Sequence, residues 1–308
     1  MLGNITVLAQ RTSPQIHFTS SFRLISNKSE WVEDHTRDLR HNGVAYINLG
    51  TAFSGESFQA SGSPALETVL LKVLSRISDP KSKVSLLELW EKKFPGLGAA
   101  GDYGAFQHFA GMASIDIGFR GTGNSVVNSC YDTYSLLTQR DPNLDYPYTM
   151  AQILSLLILE LADSSNMPFN MTNYASHASS WFSDLEAHVN MKAFNGGNQR
   201  KSLDLTSLRD AVELMRRNMP LFDNKVAEWT DDDGDFSADL DSTVSTVHRI
   251  SHNVRMANFE HHLIIDEGLW GRQWFKHVLM APKVCFFLFL FFSFILALGL
   301  RADVMIYG

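Results

Sequence analysis

Cysteine is nearly absent from this chain of 308 residues. Its two cysteines, Cys130 and Cys285, lie far apart in the sequence and form no CxxC pair. Neither a disulfide framework nor a cysteine-ligated zinc site is therefore indicated, since both need several cysteines at short spacings. Two buried free thiols are the simplest interpretation, and the cysteines leave the redox compartment open.

Basic residues are also scarce, with 26 Lys and Arg against 33 Asp and Glu and a net charge of -7. Because a net negative protein offers a phosphate backbone no general attraction, we expect no nucleic-acid partner. The motifs GxSxG and GxxxxGK[ST], and a GxGxxG after a strand, are missing. A serine-hydrolase elbow, a P-loop and a dinucleotide-binding turn thus lack their required residues.

Long hydrophobic runs are limited to 284–300, VCFFLFLFFSFILALGL, seventeen uncharged residues between two cations. This length is at the short end for a transmembrane helix. The run is either a genuine membrane anchor or translated intron, and both alternatives stay open. The first residues lack a cationic start before an apolar core, so we expect no signal peptide. Sequons at Asn4, Asn27 and Asn170 are glycosylation acceptors compatible with a secretory lumen.

The N-terminal half contains strand and helix patterns in alternation. The apolar run 43–49 predicts a buried strand, and the alternation of apolar and polar residues over 113–119 predicts a second one. Between them, Ser63 predicts the cap of a helix that Asp79–Pro80 ends. A further short helix ends at Gly111. This order of elements predicts an α/β layer.

The C-terminal half contains only helical patterns. The stretch 148–163 is apolar on nearly every side, which predicts a buried helix, and 202–219 has the spacing of an amphipathic helix. Because the composition changes near residue 165, we place a domain boundary there.

Two groups of potential metal ligands occur in the helical half. His248 and His252 are four residues apart, which on a helix places both imidazoles on one face, but no third ligand is evident. Solvated surface histidines are therefore the preferred interpretation. The acidic run Asp231–Asp235 has its glycine too early for an EF-hand loop, so a solvated acidic turn is preferred to a calcium site.

Five collinear segments resemble one family. Between residues 16 and 283, and in the same order throughout, the chain resembles the later part of the glutamate carboxypeptidase-like zinc peptidases and the transferrin receptor. The segments are SEWVEDHTRDLRHNGVAYINLGTAFSG, GDYGAFQHFAGMASIDIGF, CYDTYS, LADSSNMPFNMTNYA, and VRMANFEHHLIID followed by WFKHVLMAPK.

The resemblance implies a fold and a partner. The fold class is an α/β aminopeptidase-like domain remnant followed by an all-helical transferrin-receptor-like dimerisation domain. The partial zinc-peptidase-like α/β domain occupies 1–165, and the helical dimerisation-like domain occupies 166–283. The hydrophobic, possible transmembrane segment occupies 284–300. A homodimer through the helical domain is expected. In active relatives, histidines and carboxylates hold two zinc ions, and a glutamate activates the bridging water.

The residues that hold zinc in the family are missing at the matching positions of this chain. The aspartate ligand expected two residues after Asn48 is replaced by Gly50, and the histidine ligand falls at Asn128, whose neutral amide binds zinc poorly. No acid lies between His17 and Glu30, where the family has its general base. We therefore expect a vestigial pocket without catalytic or metal-binding residues, formed by Gly50, Asp102, Asn128, Tyr131 and Asp132.

The substrate-binding arginines of some members are missing as well, because this chain has Asp116 and Gly118 in that stretch. The losses at Gly50 and Asn128 lie inside the matched region, so truncation does not explain them. The resemblance leaves the enzyme question uncertain and favours a protein that is not an enzyme and holds no cofactor.

Two functions follow from these observations. The first is a non-catalytic, membrane-associated family member of the secretory pathway, at the cell surface or in the vacuole or lysosome. It acts by dimerisation and by binding an unknown protein or peptide. The alternative is a zinc-dependent metallo-exopeptidase of carboxypeptidase or aminopeptidase type, active on small peptides and seen here as a truncated chain. An unstable fragment without function is a third possibility.

Overall fold

The computed structural model describes residues 5–10, 13–18, 25–98, 101–121, 126, 129–195, 204–231, 239–268 and 273–280. Its strands are β1 (Ile5–Gln10), β2 (Ser13–Phe18), β3 (Ala45–Asn48), β4 (Ser57–Gly62) and β5 (Ala113–Arg120). Its helices are α1 (Ile25–Asn42), α2 (Glu67–Leu74), α3 (Leu86–Leu89), α4 (Tyr134–Arg140), α5 (Asp145–Asp163), α6 (Met171–Asn195), α7 (Thr206–Asp231), α8 (Asp239–Ala257) and α9 (Phe259–His262). A 3-10 turn (Pro64–Leu66) and a π-helical segment (Ala105–Ala110) complete the described elements.

One mixed sheet of five strands has the order β2-β1-β3-β5-β4. The two strands predicted from the sequence, β3 and β5, are parallel neighbours near its centre. The other three strands join antiparallel: β4 pairs with β5 along its whole length, and the β1–β2 hairpin adjoins β3. The sheet therefore contains one parallel pair, and side chains at matching positions of β3 and β5 lie next to each other.

Both faces of the sheet are covered. On one face, α1 and the π-helical segment enclose a small core around Tyr46 and Phe106, whose rings stack 3.9 Å apart. On the other face, a larger core joins the sheet to α2, α5, α6 and α7. This core is continuous from β3 into the helical half, and the domain boundary near residue 165 stays a prediction. Because β5 has helices on both sides, its residues 113–119 are all buried, not only the alternate ones.

The predicted helix after Ser63 is present, but its beginning and end differ from the prediction. Ser63 does not cap it, because the Ser63 hydroxyl accepts instead from the Ser114 amide and the Gln107 side chain. The α-helix ends at Leu74, five residues before Asp79. Asp79 is nevertheless structural, since its carboxylate accepts from two backbone amides of the following turn. The apolar residues that repeat with helical spacing here are all buried: Leu66, Val69, Leu70, Val73, Leu74 and Ile77.

The prediction that α5 is buried on all sides is wrong. A single stripe that includes Met150, Ile153 and Leu157 faces the core, whereas Tyr148 and Leu159 are 68% and 55% exposed. From Met171 onwards, every element among the described residues is helical, as the sequence predicts. None of the described helices is long and apolar enough to span a bilayer, and 284–300 lies outside the described residues.

Candidate functional site

The two parallel strands bring polar side chains together where β3 ends. In the β3–β5 register, Tyr46 pairs with Ser114 and Asn48 pairs with Asp116. Residues two or four apart on a strand point to the same face. Tyr46 and Asn48 therefore share a face of β3, and Asp116 and Arg120 share a face of β5. In α/β sheets, ligands bind at the carboxyl ends of parallel strands. This polar cluster, defined as Tyr46, Asn48, Asp116 and Arg120, is therefore the candidate site.

A continuous chain of hydrogen bonds connects the polar cluster. The Tyr46 hydroxyl donates to Asn48 Oδ1 at 3.2 Å, and Asn48 Nδ2 donates to Asp116 Oδ1 at 2.8 Å. Arg120 Nη2 then donates to Asp116 Oδ2 at 2.6 Å. Asn48 and Asp116 are 4% and 7% exposed. The four side chains are thus joined in sequence, and the single carboxylate of the cluster is ion-paired with the guanidinium, whose Nε is buried without a hydrogen-bond partner among the described residues.

The phenol of Tyr46 stays protonated. Burial raises the pKa of Tyr46 well above its ordinary value, and the nearby carboxylates of Asp102 and Asp116 raise it further. Asp102 therefore lies within electrostatic reach of the polar cluster. A phenol that keeps its proton can donate a hydrogen bond, but it cannot serve as a base near neutral pH.

The backbone of the loop after β3 closes the space above Gly118. A Cβ atom at this position would lie 2.5 Å from the Thr51 carbonyl oxygen. The loop is held there by the Phe119 amide, which donates to Ala52 O at 2.8 Å, and by Ser54, whose amide donates to Phe119 O at 2.8 Å. A side chain at 118 has no room in this arrangement.

The residues of the predicted pocket differ in their exposure, and the pocket itself stays a prediction. Gly50 lies exposed in the turn after β3. Tyr131 is 72% exposed, and Asp132 is also exposed in the turn before α4. Asp102 alone is placed near the polar cluster, by its effect on Tyr46. Asn128 lies outside the described residues, so its part in the pocket stays a prediction.

No group of three or more His, Cys, Asp or Glu side chains within the described ranges is arranged to hold a metal ion. The interpretation of His248 and His252 as two solvated histidines is wrong for His252, which is 3% exposed and stacks on Phe222 at 4.2 Å between α7 and α8. Burial lowers the pKa of His252 to about 4. Most of the run Asp231–Asp235 lies outside the described residues.

Cys130 is exposed, which corrects the expectation of a buried thiol, while Cys285 lies outside the described residues. In the sequence, Asn48 only marks the position two residues before the missing aspartate ligand, and the pairing of Arg120 with Asp116 is not predicted. The signal was present, because Asn48 ends one predicted strand and Asp116 lies within the next. Only the parallel pairing of the two strands, however, shows that these side chains meet.

Comparison with known proteins identifies the class of the helical part. Residues 203–285 match the transferrin receptor-like dimerisation domain. This range begins just before α7 and extends beyond Met280, so it includes α7, α8 and α9 but not α6, which the predicted domain 166–283 also contains.

Nearly the whole chain is similar to glutamate carboxypeptidase-like proteins, which confirms the resemblance found in the sequence. It is 28% identical to a probable glutamate carboxypeptidase of Arabidopsis thaliana over 263 residues, which are 83% of this chain and 35% of that protein. A probable glutamate carboxypeptidase of Zea mays is also 28% identical, with 82% and 34% covered. An inactive zinc metalloprotease of Schizosaccharomyces pombe is 23% identical, with 83% and 31% covered. The chain spans about one third of the length of these relatives.

Proposed function

We propose that this chain is a non-catalytic relative of the glutamate carboxypeptidases that acts through protein contacts and forms a homodimer through its helical part. The ion-paired carboxylate of the polar cluster carries the first half of the proposal. A metallopeptidase needs ligands that hold a metal ion and a base that activates water. Here the Asp116 carboxylate is occupied by Asn48 and Arg120, and Thr51 fills the space over Gly118.

The metal chemistry of the relatives would need a different donor set from the one found here. Zinc binds imidazole, thiolate and carboxylate groups, and the polar cluster offers one ion-paired carboxylate, an amide and a protonated phenol. These residues do not fit a zinc ion. One similar protein is itself named an inactive zinc metalloprotease, which is consistent with loss of activity elsewhere among the relatives.

Exposed apolar side chains within the matched dimerisation domain support the second half of the proposal. Val247 and Ile250 on α8 are 60% and 55% exposed, and Leu221 on α7 is 60% exposed. Val247 and Ile250 are three residues apart and therefore lie on one face of α8. Apolar side chains that a single chain leaves in water gain free energy when a second copy covers them.

The dimer is tested by sedimentation of the purified chain over a range of concentrations. We expect a monomer–dimer equilibrium that Ile250→Glu weakens at least tenfold, because the substitution buries a charge in the interface. Leu89→Glu is the matched control, since Leu89 is 50% exposed on α3, outside the matched domain. A monomer at all concentrations, or equal weakening by both variants, would refute dimerisation through α8.

The absence of catalysis is tested separately, by metal analysis and by peptide hydrolysis. We expect less than one zinc ion per chain and no release of amino acids from small acidic peptides. Two bound zinc ions, together with turnover that a chelator abolishes and zinc restores, would instead establish the metallo-exopeptidase function. That outcome would leave the dimer result unaffected.

We further propose that the protein is associated with a membrane of the secretory pathway, which rests on the three sequons and on 284–300. Asn4 lies outside the described residues, and Asn27 lies in the first turn of α1. Asn170 is part-buried at the start of α6, where its Oδ1 accepts from the Asn173 amide at 2.9 Å. Glycosidase digestion and carbonate extraction of expressing cells test the proposal. A protein without glycans that is extracted by carbonate would refute it.

A further inference from the structure

The segment Gln273–Met280 connects the helical half to the sheet half. Its Lys276 amide donates to His108 O at 2.9 Å, and the Trp274 ring stacks on Phe109 with ring centres 5.4 Å apart. Trp274 Nε1 also donates to Glu33 Oε1 on α1 at 3.1 Å. We call this contact between Gln273–Met280 and the π-helical segment the joint.

The same segment is also hydrogen-bonded to the helical half, just after α9. The Val278 amide donates to Leu263 O at 3.0 Å, and the Ile265 amide donates to Lys276 O at 2.9 Å. The backbone amide of Lys276 thus donates to the sheet half, and its backbone carbonyl accepts from the helical half. If the joint opens, the helical half loses its hydrogen bonds to the π-helical segment.

A buried acid lies behind the joint. Glu260 is 2% exposed, and its Oε2 accepts from Tyr174 at 3.0 Å and from His277 Nε2 at 2.7 Å. His277 Nδ1 accepts from the amides of Leu279 and Met280, both at 3.2 Å. Because Nδ1 accepts, the ring hydrogen is on Nε2, where it is donated to the carboxylate.

His108 is fully buried at the joint, with its ring perpendicular to that of His277 at 6.2 Å. Its Nε2 lies 3.0 Å from Gly98 O, which fixes the hydrogen on that nitrogen. The pKa of His108 is lowered to about 4, mainly by burial and also by the neighbouring His277, against the opposing effects of Gly98 O and Glu260. In the closed joint His108 is therefore neutral near pH 7.

The charged and titratable groups around His108 come from three elements. Gln273–Met280 contributes His277 and Lys276, whose Nζ lies 4.3 Å over the Phe109 ring. Helix α9 contributes Glu260, and α1 contributes Arg40, which donates to Phe109 O and Ala110 O. Glu33 of α1 also lies at the joint, where it accepts from Trp274. His277 opposes and Glu260 favours a positive charge at His108, so burial is the main reason that the ring stays neutral.

We propose that His108, together with His277 and Glu260, makes the joint a proton-sensitive contact that is closed at neutral pH and opens in acid. When Gln273–Met280 separates from the π-helical segment, His108 meets water and takes up a proton. The closed state excludes that proton by burial. Proton uptake therefore accompanies opening, and acid shifts the equilibrium towards the open state.

The direction follows from the two pKa values of His108. The closed-state pKa of about 4 lies below the ordinary value of 6.5. The open state therefore binds more protons between these values, so closure is strongest above pH 6.5 and weakens progressively down to about pH 4. No change from this histidine is expected between pH 7 and pH 8.

Fluorine NMR of the whole chain labelled with 5-fluorotryptophan tests the joint directly. The Trp274 resonance is assigned by its loss in Trp274→Phe. We expect it to move from a shielded position at pH 7.5 towards the free position between pH 6.5 and 4.5, while far-UV circular dichroism shows that the helices persist. The ratio of open to closed protein should rise about tenfold per pH unit, as for one proton. A Trp274 resonance that does not change with pH would overturn the proposal.

The histidine is tested with His108→Gln, whose amide can still donate to Gly98 O but does not titrate. We expect the Trp274 shift between pH 6.5 and 4.5 to be lost, with the resonance at pH 7.5 retained. His41→Gln is the control, because His41 is exposed on α1 and its Nδ1 lies 2.9 Å from Arg37 O of the same helix. A titration in His108→Gln equal to that of the unaltered chain contradicts the proposal, and the unaltered chain tests it even if this variant does not fold.

Discussion

Asn48 and Asp116 occupy paired positions on two parallel strands, and the Asn48 amide donates to the Asp116 carboxylate at 2.8 Å. The second carboxylate oxygen is taken by Arg120. At the strand ends, where an enzyme of α/β type would keep reactive groups available, the polar side chains of this chain hydrogen-bond to one another. These hydrogen bonds stabilise the sheet, and that role can be measured.

Asp116→Asn should destabilise the fold. The variant keeps an oxygen for Asn48 but removes the charge that Arg120 faces, and a hydrogen bond to a charged partner contributes about 2 kcal/mol. We expect the free energy of unfolding, measured in urea, to fall by about that amount. Asp132→Asn, in an exposed turn, should change it by less than about 0.5 kcal/mol. Equal effects of the two variants would show that the ion pair contributes nothing.

Gly118→Ala should also be destabilising, for a steric reason. The new methyl group would lie 2.5 Å from the Thr51 carbonyl oxygen, so the loop over β5 has to move. Overpacking of this kind costs about 2 kcal/mol. The control is Gly98→Ala, because a Cβ at Gly98 meets no described atom within 4 Å. A neutral Gly118→Ala would mean that the loop is not held against β5.

Asp223 on α7 holds the first turn of α6. Its carboxylate accepts from the amides of Met171 and Thr172 and from the Thr172 hydroxyl. Asp223→Ala leaves these helix-end donors without their partner, which costs about 2 kcal/mol, the upper end for loss of a cap. Asp210→Ala, on the exposed part of the same helix, is expected to be close to neutral. Chemical denaturation followed by circular dichroism distinguishes the two.

His252 should make the helical half sensitive to acid. Its pKa of about 4 in the folded chain, which burial causes, lies below the ordinary 6.5. The unfolded chain binds the extra proton between these values, so stability is full above pH 6.5 and falls towards pH 4. His252→Phe retains a ring against Phe222 and removes the titration. We expect the free energy of unfolding to fall less steeply over this pH range in the variant, whereas His41→Phe should keep the slope of the unaltered chain.

The elements that the sequence predicts well are those with a regular apolar period. Strands β3 and β5 and the helix after Ser63 bury the residues that their patterns indicate. Strand β4 also alternates, with Phe58 and Ala60 inward, but serine, glycine and glutamine around them weaken the signal. Helix α5 was wrongly expected to be buried throughout, because composition alone does not show how many neighbours a helix has.

The candidate site was harder to predict than the fold, since it depends on contacts between distant parts of the sequence. The family resemblance directed attention to Gly50 and Asn128, where ligands are missing. The polar cluster instead depends on the parallel register of β3 and β5, which brings Asn48 to Asp116. His108 and His277 are 169 positions apart, and only the folded chain brings their rings together. Local spacing carries no information about such pairs.

The segment Gln273–Met280 lies inside the range that matches the dimerisation domain, yet Trp274 and Lys276 are seated on the sheet half. A polypeptide cut to 203–285 would lack Tyr174, which donates a hydrogen bond to Glu260. It would also lack Phe109, on which the Trp274 ring stacks. The range 203–285 therefore depends on residues outside it for several of its contacts. A partner that binds the helical half is therefore connected to the sheet half through Gln273–Met280.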